Sequence, residues 1–180
     1  MYNVSWGKGN GEDGENLPVL TNCTFEDNTS VEKGGGALYN IYSNAEFLHC
    51  KFSNNTTEEA GGAIANNNSH IVMDSCEVEN NESNNHFGGG INNWKSNPLI
   101  TNTTIANNAC DLNGAGINNF SSSPVLINCN IHDNSAGQNG GAIANSANEE
   151  NVQPVIKNCY IANNVAGVNG GGIYNRADGS

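Results

Sequence analysis

Eighteen Asp and Glu residues stand against six Lys and Arg in a chain of 180 residues, so carboxylates dominate any acid–base or metal chemistry it could carry. Their densest run is Glu12-Asp13-Gly14-Glu15, with pairs at Glu58-Glu59 and Glu149-Glu150. A hard cation such as calcium takes clustered carboxylate and carbonyl oxygens. The spacing of Glu12, Asp13 and Glu15 fits no defined calcium loop, so a solvated acidic loop is the expectation and no cofactor is assigned; calcium there is a weak alternative. Glycoside hydrolysis needs two facing carboxylates, and lyase chemistry needs a base beside a cation that stabilises a carbanion. The cations Lys8, Lys33, Lys51, Lys95, Lys157 and Arg176 are scattered, and His49, His70, His86 and His132 form no triad. No catalytic residue and no metal ligand is nominated.

The elements that must position these residues come from a repeat. Gly140-Gly141-Ala142-Ile143-Ala144-Asn145 recurs about every 26 residues, beginning at Gly35, Gly61, Gly88, Gly114 and Gly170. A second phrase precedes each copy: Pro18 to Asn28, Ala45 to Asn55, Ile71 to Asn81, Pro98 to Asn108, Pro124 to Asn134 and Pro154 to Asn164. Stacking the copies gives three apolar columns, at Leu20, Phe25 and Leu38 and their equivalents. Short β-branched or aromatic runs punctuated by Asn and Gly predict three short strands per coil and no helix. The fold class is therefore all-β, a right-handed parallel β-helix of about six coils of about 26 residues, forming a single domain over 1–180.

Two asparagine columns are assigned to the corners: Asn28, Asn55, Asn81, Asn108, Asn134 and Asn164, and Asn40, Asn66, Asn93, Asn119, Asn145 and Asn175. Asn tolerates the left-handed backbone, and its amide can bond to backbone and to the Asn of the next coil. These residues are read as structural. By strand parity, the second glycine of the phrase faces inward with Ile or Leu two positions on. The residue between, Ala37, Ala63, Gly90, Gly116, Ala142 or Gly172, then faces out and leaves a bare surface.

Cys23, Cys50, Cys76, Cys129 and Cys159 share one column, and Cys110 lies off it. Parallel strands hold equivalent side chains farther apart than a disulfide prefers, so a ladder of buried free thiols is expected. Without a Cys-x-x-Cys motif, zinc is disfavoured. Trp6, Tyr42, Trp94 and Phe120 fall at one corner, where exposed rings suit stacking on sugars or an apolar partner contact. The competing expectation is that they tuck over the corner and shield the core.

A formal charge of −12 excludes nucleic acid as a natural partner and disfavours an anionic membrane. No apolar run approaches a membrane span, and no export signal is visible, so no direct membrane insertion by this segment is expected. The chain begins and ends in mid-repeat, which suggests a segment of a longer protein with end-to-end self-association as an option.

Gly61-Gly62-Ala63-Ile64 and Phe52-Ser53-Asn54-Asn55 resemble the repeats of chlamydial polymorphic outer-membrane proteins. They are equally similar to the wider set of right-handed β-helix surface proteins with pectin-lyase-like folds, and the resemblance covers nearly the whole chain. It implies a secreted or surface-anchored bacterial passenger acting in adhesion, toward a host or cell-surface glycan or protein. The Asp clusters and Arg or His signatures of pectate lyases and polygalacturonases are not found. The functional expectation is a non-catalytic, extracellular or cell-surface scaffold or adhesin segment. The alternatives are a polysaccharide lyase or glycoside hydrolase, or a self-assembling fibre unit.

Overall fold

A computed structural model describes residues 2–4, 18–148 and 152–177. The chain winds as a parallel β-solenoid of about six coils. Each strand pairs with its equivalent one coil later, 26 or 27 residues on, except from Tyr2 to Tyr39, which are 37 apart in sequence, and between the last two coils, where Asn145 and Asn175 are 30 apart. One sheet of seven strands holds the glycine phrase: Tyr2–Val4, Leu38–Ile41, Ile64–Asn67, Ile91–Trp94, Ile117–Phe120, Ile143–Ala147 and Ile173–Ala177. A second, with six strands, runs from Val19–Thr21 to Val155–Lys157, and a third from Thr24–Glu26 to Tyr160–Ala162. These three ladders meet the expectation of three strands per coil. A fourth ladder of two-residue strands, from Thr29–Ser30 to Val165–Ala166, crosses what reads in the sequence as a turn.

The strands are short because the backbone turns left-handed on schedule. Asn22, His49, Ser75, Asn102, Asn128 and Asn158 have φ between 50° and 57°. So do Asp27, Asn54, Asn80, Asn107, Asp133 and Asn163, within 54° to 57°. Local side-chain hydrogen bonding makes Asx the cheapest non-glycine choice there. This corrects the assignment of the left-handed role to the ladder asparagines themselves. In every coil the residue before Asn28, Asn55 and their equivalents makes the turn, which frees the next Asn to point inward.

Alternation does the rest. In Glu46-Phe47-Leu48 the middle residue is fully buried between two half-buried neighbours, and Met73, Ile100 and Leu126 stack in register with Phe47. Phe25 stacks on Phe52 at 4.7 Å, and Phe47 meets Phe52 edge-on at 5.5 Å. Packing of this kind gives the core more than area burial alone.

The parity argument fails at the glycine phrase. Ala37, Ala63 and Ala142 are buried in the main core at 1%, 0% and 0% exposure, beside Leu38, Ile64 and Ile143, so no bare outer face exists there. The strand begins only at Leu38, and the preceding glycine sits at positive φ, as Gly35 does at 63°. Period-2 alternation does not extend across such a bend. The second glycine instead backs onto the fourth ladder: a Cβ on Gly62 would lie 2.6 Å from the backbone nitrogen of Glu82, in the fourth-ladder strand Glu82–Ser83. Its one alanine equivalent, Ala115, forms a small separate core with Cys110 and Ala136.

Candidate functional site

Most interior polar groups are taken up by hydrogen-bond ladders. Asn81 donates its backbone N–H (3.0 Å) and Nδ2 (2.9 Å) to Oδ1 of Asn108, and Nδ2 again to the Phe52 carbonyl at 3.0 Å. Asn55, Asn108 and Asn134 repeat the pattern, and Asn28 and Asn164 stand at its two ends. The second ladder makes one amide bond per step from Asn40 through Asn66, Asn93, Asn119 and Asn145 to Asn175, at 2.8 or 2.9 Å. Two further ladders went unread in the sequence. Ser43, Ser69 and Ser96 donate backbone N–H to the hydroxyl of the next serine, ending at Ser122. One position on, backbone N–H groups of His70, Asn97 and Ser123 donate to Asn44 Oδ1, His70 Nδ1 and Asn97 Oδ1. Serine at a constant offset of three from the second asparagine column was the available signal.

Cys23, Cys50, Cys76, Cys129 and Cys159 lie at equivalent positions beside the core, and all six cysteines are free thiols. Burial pushes the Cys76, Cys110 and Cys129 thiols up to about 11 and raises Cys50. Thiols so protonated are poor nucleophiles and poor metal ligands.

The charged groups meet in small exposed sets. Lys51 bonds Glu79 and lies 3.5 Å from Glu77, and the Glu79 bond raises its pKa. His86 Nε2 is 3.3 Å from Glu59 Oε2, and His132 Nδ1 is 2.6 Å from Asp133. Thr101 Oγ1 and Asn102 Nδ2 donate to Asp74 and hold its carboxyl below the usual range. Among the described residues no group of three or more His, Cys, Asp or Glu could hold a metal. Glu12, Asp13, Glu15, Glu149 and Glu150 lie outside the described residues, as does Trp6.

The remaining candidates stand where the seven-stranded sheet ends. In Ile91-Asn92-Asn93-Trp94 the first and third residues are buried, and Trp94 is 45% exposed. The backbone then turns at Lys95 (φ 48°) and dives inward at Ser96. Trp94 stacks on Phe120, its partner in register on the next coil, with centroids 4.4 Å apart and planes 18° from parallel. On the preceding coil its register partner is Asn67, which accepts a 2.7 Å hydrogen bond from Asn68 Nδ2. Tyr42 belongs to the coil before that, one position beyond Ile41, and is 52% exposed. The structure thus brings Trp94 and Phe120 together and sets Tyr42 two coils away from Trp94.

Comparison with protein-family models matches residues 7–153 to the right-handed β-helix region. The chain belongs to the right-handed β-helix family. The final coil of this β-helix, residues 158–176, matches the Chlamydia polymorphic membrane protein repeat. A search of curated proteins and a search of solved structures returned no significant match. Family membership accounts for the scaffold, whereas the residues at its corners vary from coil to coil and carry whatever is particular to this chain.

Proposed function

We propose that this β-helix is a non-catalytic, cell-surface passenger segment that acts in attachment, displaying its corners to a glycan or protein on another surface. The supporting observation is that interior columns are given over to apolar packing or to hydrogen-bond ladders, while Trp94, stacked on Phe120, stands half exposed at a corner. A solenoid of this kind is a rigid spacer with a long lateral face. The match of residues 158–176 to a polymorphic membrane protein repeat favours the surface location.

The test uses beads coated with the chain, presented to immobilised glycans and to cultured epithelial cells, with urea-unfolded protein as control. Attachment by the folded chain alone is the expected result. Release of reducing ends or unsaturated products from a panel of polysaccharides would instead establish an enzyme.

A further inference from the structure

We propose that the corner formed by Tyr42, Asn67, Asn68 and Trp94 is a subsite for a neutral oligosaccharide of equatorially substituted pyranoses. The inference rests on the attachment reading and names the ligand class for one corner.

The Trp94 ring has one face on Phe120 and its other turned toward the Asn67 rung. Asn67 is far shorter than an indole, so this second face is open above the amide. The next large side chain on that side is Tyr42, whose coil lies two strand spacings away, about 9.5 Å along the axis. A sugar ring held between two aromatic groups needs about 7–8 Å, a van der Waals contact on each side. Asn67 and Asn68 form the floor of this gap.

Trp94 Nε1, Tyr42 Oη and Asn67 Nδ2 make no hydrogen bond among the described residues. They are available to hydroxyls while the indole takes the C–H face of the ring. A few placed polar groups beside an aromatic wall are what fix a ligand's orientation.

Packing does not account for the tryptophan. Its column holds Ile41, Asn67, Phe120 and Ser146 on the other coils, so the fold tolerates large or small, apolar or polar there. Charge selects among sugars. The corner segments 41–44, 67–70 and 94–97 contain no carboxylate and one lysine, Lys95, whereas the chain as a whole carries −12, which outweighs that single cation at long range. Uronic and sialic acids are therefore repelled on approach and a neutral glycan is not.

The test is fluorescence titration of the full chain in a Trp6→Phe background, so that Trp94 is the sole reporter. Probes are cellopentaose, xylopentaose, chitopentaose and a galacturonic acid pentamer. A saturable change with at least one neutral probe is expected, with affinity at least about tenfold weaker in Trp94→Ala by calorimetry. Tyr42→Ala should weaken it less. The urea midpoint of Trp94→Ala should match the parent, which separates a lost contact from a lost fold. No saturable response to any neutral probe, equal affinity in Trp94→Ala, or tighter binding of the acidic pentamer would overturn the proposal. If coated beads still attach while every sugar titration is blank, the subsite fails and the attachment reading stands. If neutral sugars bind but no beads attach, the subsite stands and the attachment reading fails.

Discussion

Replacing Asn108 with alanine isolates the worth of one rung of the first asparagine ladder. Asn108 Oδ1 accepts two hydrogen bonds from Asn81, one from the backbone N–H and one from Nδ2, and its own Nδ2 donates to the Val78 carbonyl. Asn81 and Asn108 are both about 99% buried. The substitution therefore strands two buried donors and one carbonyl with no water at hand. At about 1–3 kcal/mol for each stranded donor, the loss comes to about 2–6 kcal/mol. The comparison is Asn28→Ala, the same residue in the same column at the exposed end. Asn28 gives up its bonds to the Glu26 carbonyl and to Asn55 Oδ1, which already receives the Asn28 backbone N–H. Its loss strands only a solvent-accessible carbonyl and should cost about 0.5–1 kcal/mol. The assay is urea denaturation followed by circular dichroism, with native-state hydrogen exchange at the Asn81 amide to localise the effect. Equal losses for the two variants, or a loss below about 1 kcal/mol for Asn108→Ala, would refute the view that position along the ladder sets the cost.

Neutral His70 accepts the Asn97 N–H through Nδ1, and burial lowers its pKa from 6.5. Its contribution to stability is then full above pH 6.5 and lost as pH falls from there toward the lower folded value. His70→Asn, which restores the Asn found at positions 44 and 97, should flatten that part of the urea-midpoint profile. Cys76, Cys110 and Cys129, with thiols near 11, should react with a disulfide reagent at pH 8 far more slowly than the part-exposed Cys159, as read by peptide mapping. Gly114→Ala places a Cβ 2.5 Å from the Ile117 carbonyl oxygen at a φ of +68°, and should lower stability by about 1–3 kcal/mol in the same denaturation assay.

The architecture was legible because parallel stacking turns a spatial column into a sequence period: Phe47, Met73, Ile100 and Leu126 could be aligned without structure and do lie in register. Local backbone was harder to read. Asn54-Asn55, Asn80-Asn81 and Asn107-Asn108 each present two asparagines, one that turns the chain and one that enters the core. Composition does not tell which is which. Parity carried the reading wrongly through Gly36 and Ala37 because those residues precede the strand. The corner was partly legible, since exposed aromatic groups were visible there, but the left-handed turn falls one residue after the Trp94 column and sets Tyr42 beside it. The repeat period sets Trp94 and Phe120 in one column, and the structure adds that their rings stack.

Every amide-to-amide bond in the first ladder points the same way, with Nδ2 donating toward the later coil and Oδ1 accepting from the earlier one. A coil is thus an adaptor with a plug on one side and a matching socket on the other. Removing or copying one whole period rejoins plug to socket, whereas deleting a single residue leaves a mismatched joint in every ladder at once. Length in such a gene can drift by unequal recombination between repeats, and selection on reach can act without rebuilding the core.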